Sequence, residues 1–150
     1  MSRVQLALRV SDLEGSIRFY SSLFGVEPAK RRPGYANFAI ADPPLKLVLF
    51  EKAGADSRLN HLGVEVEDSD AVWDHQQRLT EQGVDSLEES GTCCFAKQDK
   101  VWVDAPDGAW EIYAVLADSD DFGHSSVKVD DQTGDSLCCA SVPEAEARCC

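Results

Sequence analysis

The residues with the clearest chemistry are the cysteines. All six sit in adjacent pairs: Cys93–Cys94, Cys138–Cys139 and Cys149–Cys150. A disulfide between neighbours closes a small ring and strains the peptide inside it, so ordinary structural crosslinks avoid this arrangement. Adjacent thiolates suit a soft, thiophilic ion that needs only two or three sulfurs. Trivalent arsenic, cadmium, mercury and zinc all qualify. A second, harder set of donors emerges from a repeat. Gln5-Leu-Ala-Leu-Arg-Val-Ser-Asp12 aligns with His61-Leu-Gly-Val-Glu-Val-Glu-Asp68 at an offset of 56. Asp42-Pro-Pro-Leu-Lys-Leu-Val48 aligns with Asp107-Gly-Ala-Trp-Glu-Ile-Tyr113 at an offset of 65. These alignments make Gln5 equivalent to His61, and Lys46 to Glu111.

The elements that carry these residues follow from pattern. Each first segment is an alternating apolar strand that ends at an aspartate able to cap a helix. Leu13, Ile17, Tyr20 and Phe24 then recur at helical spacing, as do Val72, His75/Gln76 and Leu79. The helices stop at Gly25 and Gly83. Strand-like segments follow at about 35–41 and 45–51, then at about 85–89, 93–96, 100–104 and 109–116. Glu88–Thr92 reads as a loop with Gly91 as its hinge, and Ala53–Arg58 as a linker. The expectation is an α+β fold of two βαβββ modules, about 1–52 and 59–117. Each module is too short to bury a core alone, so the two must share one curved mixed sheet. The inner face of such a sheet offers ligands from first and last strands. His61 and Glu111 suit Fe(II), Mn(II), Ni(II) or Zn(II), and Gln5 adds an amide oxygen. Lys46, a cation, is no ligand. Three protein ligands with open positions describe a facial His/carboxylate iron site better than a closed structural one. Glu111 is the most telling of the three, because a carboxylate in an apolar strand is costly to bury without a partner.

Composition bounds the rest. The chain has 150 residues and a net charge of −13, which disfavours nucleic acid as a partner. No apolar run approaches the ~20 residues of a membrane span. The N-terminus lacks the basic-then-apolar pattern of a secretory signal, so a cytoplasmic location with reduced thiols is expected. From Asp118 to Cys150 eight acids face two bases, and apolar residues lose their period. That stretch reads as a solvated tail. A monomer or homodimer fits the length.

The repeat with ligands on first and last strands resembles the vicinal oxygen chelate superfamily, the glyoxalase/bleomycin resistance/dioxygenase fold. Val4-Gln-Leu-Ala-Leu8, Pro33–Leu49, Leu59–Val66, Thr92–Val103 and Trp110-Glu-Ile-Tyr113 resemble more closely its organoarsenical carbon–arsenic lyase and cadmium-induced protein group. The resemblance covers about residues 1–117. It implies Fe(II)- and O2-dependent cleavage of trivalent organoarsenicals, such as methylarsonous acid and reduced aromatic arsenicals, to arsenite. Gln5, His61 and Glu111 would hold the iron, with Ni, Co, Mn or Zn as substitutes, and Cys93 and Cys94 would bind arsenic. Glu88–Thr92 could then carry captured substrate towards the metal. Lys97 and Lys100 lie near the cysteine pair in sequence, where they could lower the thiol pKa, but are expected to be solvated. Tyr35, Phe38, Phe95, Trp102 and Tyr113 are expected mainly as core, with some lining the cavity. The competing readings are a non-catalytic cadmium- or arsenite-binding protein, and another enzyme on the same scaffold such as a thiol transferase or an extradiol dioxygenase.

Overall fold

Alternating side chains decide the architecture, because the central strands have one apolar face that needs covering and one face that mixes polar and aromatic groups. The structure, a computed structural model, describes residues 1–54, 58–106 and 108–123. The first module runs β1 (Arg3–Val10), α1 (Leu13–Phe24), β2 (Lys30–Arg32), β3 (Tyr35–Ile40) and β4 (Leu45–Glu51). The second runs β5 (Arg58–Glu65), α2 (Ser69–Glu81), β6 (Leu87–Cys93), β7 (Ala96–Ala105) and β8 (Gly108–Asp118). All eight strands form one mixed sheet in the order β2-β3-β4-β1-β5-β8-β7-β6. Inside each module the first and last strands pair in parallel, and β1 pairs with β5 antiparallel to join the modules.

Both helices start where an aspartate satisfies otherwise unpaired backbone N–H groups. Asp12 accepts from Gly15 N, and Asp68 from Ala71 N, each at 2.9 Å. Gly25 closes α1 in the left-handed region at φ 66°, with its N–H on Ser21 O. The helices cover the outer face. Leu13 and Ile17 of α1 pack with Val10, Ala36, Phe38, Ile40, Leu47 and Leu49, while Val72 of α2 packs with Val66, Val101 and Ala114. The other face turns inward and carries Gln5, His61, Glu111, Tyr113, Lys100 and Trp102. The sheet curls until its far ends meet. Lys30 of β2 donates to Phe95 O at 3.0 Å and to Asp118 Oδ1 at 2.5 Å, and the Tyr35 and Phe95 rings lie 5.3 Å apart.

The expected α+β architecture of paired βαβββ modules is the one observed, with differences in detail. β2 is a three-residue edge strand of Lys and Arg, too short and too polar to show a period. The segments expected at 85–89, 93–96 and 100–104 are two strands joined by a tight turn at Cys94–Phe95. Glu88–Thr92 is strand, not a hinged loop, and Gly91 pairs with Gln98 in its ladder. Arg58 opens β5 rather than closing a linker, and 55–57 lie outside the described residues. The repeat offset also slips. Gln5 lies beside Lys46, but Glu111 lies beside Gly63 rather than His61. A slip of two residues keeps every side chain on its original face, so the shared inner face survives it. Beyond Asp118 the chain continues in contact with the fold as far as Gly123: Phe122 packs with Tyr35, Phe50 and Phe95, and Gly123 bridges to Cys93.

Candidate metal and thiol site

Gln5, His61 and Glu111 come together at the middle of the inner face, where β1, β5 and β8 lie side by side. Gln5 Nε2 donates to Glu111 Oε1 at 2.5 Å. His61 Nε2 stands 3.2 Å from the same oxygen and 3.3 Å from Gln5 Nε2. All three side chains are buried. Gly63 makes this closeness possible. It sits between Gln5 and Glu111 in the ladder, and a Cβ there would come within 2.9 Å of Glu111 Cγ and 3.4 Å of Gln5 Nε2. Asn60 sets the imidazole. Its Oδ1 lies 2.6 Å from His61 Nδ1, and an amide oxygen can only accept, so Nδ1 carries a proton and Nε2 is the nitrogen turned towards Glu111.

Charge balance comes from residues that sequence reading missed or placed elsewhere. Lys100, expected to be solvated, is buried and donates to Glu111 Oε2 at 2.8 Å. It alternates with Trp102 along β7, which brings both side chains inward. Burial alone would raise the Glu111 carboxyl. The Lys100 ammonium and then His61 outweigh it and hold that carboxyl well below the usual range. Tyr113 places its hydroxyl 2.6 Å from Gln5 Oε1 and 2.9 Å from Glu65 Oε2. Glu65 in turn pairs with Lys46 at 2.9 Å and with Arg3 at 2.9 Å. Lys46 is therefore a counter-ion rather than a ligand. The signal for Lys100, Tyr113 and Glu65 was their alternation with inward residues, but polar residues on a strand read equally well as facing solvent.

The three donors fit a divalent metal. Adjacent ligands of an octahedral ion with bonds of about 2.1 Å stand about 3 Å apart; the three separations here are 2.5, 3.2 and 3.3 Å, the first and last measured to Gln5 Nε2, whose place a half-turn of the amide gives to Oε1. One imidazole, one carboxylate and one amide oxygen make a borderline-to-hard set suited to Fe(II), Mn(II), Ni(II), Co(II) or Zn(II). The imidazole presents Nε2 to the other two side chains, and its Nδ1 is bonded to Asn60 as metal-ligating histidines require.

The thiols sit on the turn between β6 and β7. Cys94 and Phe95 have φ values of 56° and 60°. Two consecutive left-handed residues define the hairpin turn that normally calls for Asn-Gly, and Cys-Cys-Phe gives no such signal. Left-handed backbone costs roughly 1–2 kcal/mol per non-glycine residue. The surroundings hold it. Phe95 N donates to Phe122 O at 3.3 Å, Phe95 O accepts from Ser119 N at 2.9 Å, and the Phe95 ring is buried with Tyr35, Phe50 and Phe122. The consequence is chemical. Neighbouring residues of a strand point to opposite faces, whereas this turn brings the Cys93 and Cys94 sulfurs to 3.3 Å. Cys93 is buried and Cys94 half-buried.

Trp102 joins the two halves. It packs against Cys93 and Cys94, and its ring meets His61 edge-on at 5.2 Å. Tyr35 lies close enough to sense both sides: burial, then the charge of Cys94, and more weakly Cys93 and Glu111, push its hydroxyl far above the ordinary tyrosine value, so it stays protonated. Of the expected aromatic residues, Tyr35, Phe95, Trp102 and Tyr113 belong to this inner region, whereas Phe38 packs under α1. Cys138, Cys139, Cys149 and Cys150 lie outside the described residues.

Comparison with known proteins agrees with the fold and narrows it. The family model described as the Glyoxalase/Bleomycin resistance protein/Dioxygenase superfamily matches residues 3–112. The cadmium-induced protein CadI of Mycobacterium tuberculosis is 61% identical over 142 residues, covering 93% of each chain. The trivalent organoarsenical cleaving enzyme of Thermomonospora curvata is also 61% identical over 142 residues, covering 93% of this chain and 89% of that one. Among solved structures, methylmalonyl-CoA epimerase from Mycobacterium tuberculosis superposes with a TM-score of 0.57 at 18% identity, over 75% of this chain and 86% of that one. Strand order, paired modules and sequence thus agree: the chain belongs to the glyoxalase/bleomycin resistance protein/dioxygenase superfamily.

Proposed function

We propose that this protein cleaves the carbon–arsenic bond of trivalent organoarsenicals, methylarsonous acid and reduced aromatic arsenicals among them, and releases arsenite, using Fe(II) and O2. The observation that carries the reading is the juxtaposition just described: a two-thiol turn and a His/Glu/Gln triad on one inner face, bridged by Trp102. The 61% identity to an enzyme named for that cleavage supports it.

A monoalkyl or monoaryl trivalent arsenical carries one carbon and two exchangeable hydroxyls. Cys93 and Cys94 would replace both hydroxyls, forming two As–S bonds and releasing two waters. Two sulfurs 3.3 Å apart meet that demand without closing a long loop. Phe95, Tyr35 and Trp102 would exclude water around the organic group. Gln5, His61 and Glu111 would hold the metal, and Lys100 would keep Glu111 ionised and engaged through one oxygen. Fe(II) held there would supply O2 activation, which neither thiols nor carboxylates provide. For a methyl group the balance closes when one oxygen of O2 ends on arsenic as hydroxyl and the other on carbon, which leaves as formaldehyde; two waters would then displace the two sulfurs, releasing arsenite and restoring both thiols. Thiols that must stay reduced support a cytoplasmic location, and the reading takes a small molecule as substrate and a monomer or homodimer as the assembly.

One observation favours a second reading. The thiol turn by itself is a complete two-sulfur site for a soft ion, so a protein that only sequesters cadmium or arsenite would need nothing from the triad. The test compares Fe(II)-loaded wild type with His61→Ala and with Cys93→Ser/Cys94→Ser, given methylarsonous acid in air, with arsenic species separated by chromatography. Arsenite from wild type alone supports the lyase. Arsenical retained by wild type and by His61→Ala alike, with no arsenite, supports sequestration.

A further inference from the structure

One proton is shared between two acceptors beside the triad. The Tyr113 hydroxyl lies 2.6 Å from Gln5 Oε1 and 2.9 Å from Glu65 Oε2. A phenol has a single proton to donate, so it can satisfy only one of them. Glu65 is ion-paired to Lys46 and Arg3, and an ionised carboxylate only accepts.

Two complete arrangements follow. In the first, Tyr113 donates to Gln5 Oε1, and Gln5 Nε2 donates to Glu111 Oε1 at 2.5 Å. The amide then turns its NH2 towards His61 and Glu111, where a metal needs an oxygen. In the second, Tyr113 donates to Glu65, a charge-assisted bond of the stronger kind. Its oxygen can then only accept from Gln5. The amide half-turns, its NH2 donates to Tyr113, and its carbonyl oxygen faces His61 Nε2 and Glu111 Oε1. Three acceptors converge there, and a cation satisfies all of them.

We propose that Tyr113 and Glu65 are positioning residues for Gln5: by taking the Tyr113 proton, Glu65 makes Tyr113 an acceptor that holds the Gln5 carbonyl oxygen on the metal. This inference rests on the metal-site reading above. The second arrangement makes two hydrogen bonds through Tyr113 and the first makes one. Removing the hydroxyl, or the carboxylate that accepts from it, therefore penalises the metal-bound arrangement more. Loss of such an outer partner typically costs about 10–100-fold in metal affinity.

The experiment measures Mn(II) affinity of the purified full chain from the free-Mn(II) EPR signal, without arsenical or turnover. Wild type is compared with Tyr113→Phe, Glu65→Gln and the double variant, each checked for folding by metal-free thermal unfolding. Each single variant should bind about tenfold more weakly, and the double no more weakly than the worse single, because both break one relay. A plain charge effect of Glu65 would instead persist after Tyr113→Phe and add to it. Glu65→Gln is also made in a Gln5→Glu background, where both oxygens are alike and orientation has no meaning. There its effect should fall below about twofold, and this arm stands even if Tyr113→Phe does not fold. Additive losses, or an undiminished loss in the Gln5→Glu background, overturn the relay. Variants that bind as tightly as wild type overturn the relay alone, and wild type that binds no Mn(II) overturns the metal-site reading with it.

Discussion

Replacing Lys100 with methionine isolates the buried charge pair beneath the candidate site. Lys100 Nζ and Glu111 Oε2 are 2.8 Å apart, with side-chain exposures of 2% and 4%. At an effective dielectric of about 20, two charges at that separation attract by about 6 kcal/mol. Desolvation of both groups offsets most of this, so the pair adds little net stability as a pair. Removing one partner is different, because the other charge then stays buried without its counter-ion, at a cost of about 3–5 kcal/mol. Methionine conserves most of the volume, so little of the loss comes from a cavity. Urea unfolding of the metal-free protein should therefore show Lys100→Met destabilised by about 3–5 kcal/mol, a large share of a typical domain's 5–15 kcal/mol. Adding Glu111→Gln should restore most of that, since the orphaned charge is gone. A loss below about 1 kcal/mol, the value of an exposed pair, or a double variant no more stable than Lys100→Met, would refute the reasoning.

Three further outcomes follow from the geometry. Cys94→Gly relieves a left-handed residue and should unfold at a temperature a few degrees above Cys94→Ala, which keeps the strain, while both fail to retain a trivalent arsenical by mass spectrometry; equal melting points would mean that the turn is not strained at Cys94. Gly63→Ala forces a methyl against Glu111 and Gln5, so it should lose about 1–3 kcal/mol of stability and weaken Mn(II) binding, both readable by calorimetry. Glu65 is pushed up by burial but pulled further down by Lys46, then by Tyr113 and Arg3, so its folded carboxyl lies below the ordinary value. Its contribution to stability is therefore complete above the unfolded value of about 4.3 and is lost as pH falls through the folded one. Glu65→Gln should flatten that acid limb, and an acid limb as steep as wild type's would contradict the assignment.

The fold was legible because its signals were periodic. Alternation marked β1 and β5, the second repeat match marked β4 and β8, and the aspartate caps and glycine stops marked both helices. The repeat identified Gln5, His61 and Glu111 as sharing a face, and they do, although the offset misplaced their partners by two residues. A strand's period of two forgives an even slip and would not have forgiven an odd one. Features resting on tertiary context were hidden. Nothing in Cys93-Cys94-Phe95 announces a turn with two left-handed residues, because the aromatic cluster and Phe122 that hold it come from distant segments. Lys100 looked solvated because a lysine usually is; only the placement of Glu111 beside β7 gives it a reason to be buried. Asn60, Gly63 and Tyr113 acquire their roles from strand neighbours that no local window contains.

The central claim is catalysis by one site made of thiols and metal. Its most direct test is an anaerobic mixture of Fe(II)-loaded protein with a tenfold excess of methylarsonous acid, followed by admission of O2 and measurement of arsenite per chain over time. The account predicts no arsenite before O2, then steady release well beyond one equivalent per chain. Release that never starts, with about one arsenical held per Cys93/Cys94 pair, would contradict it.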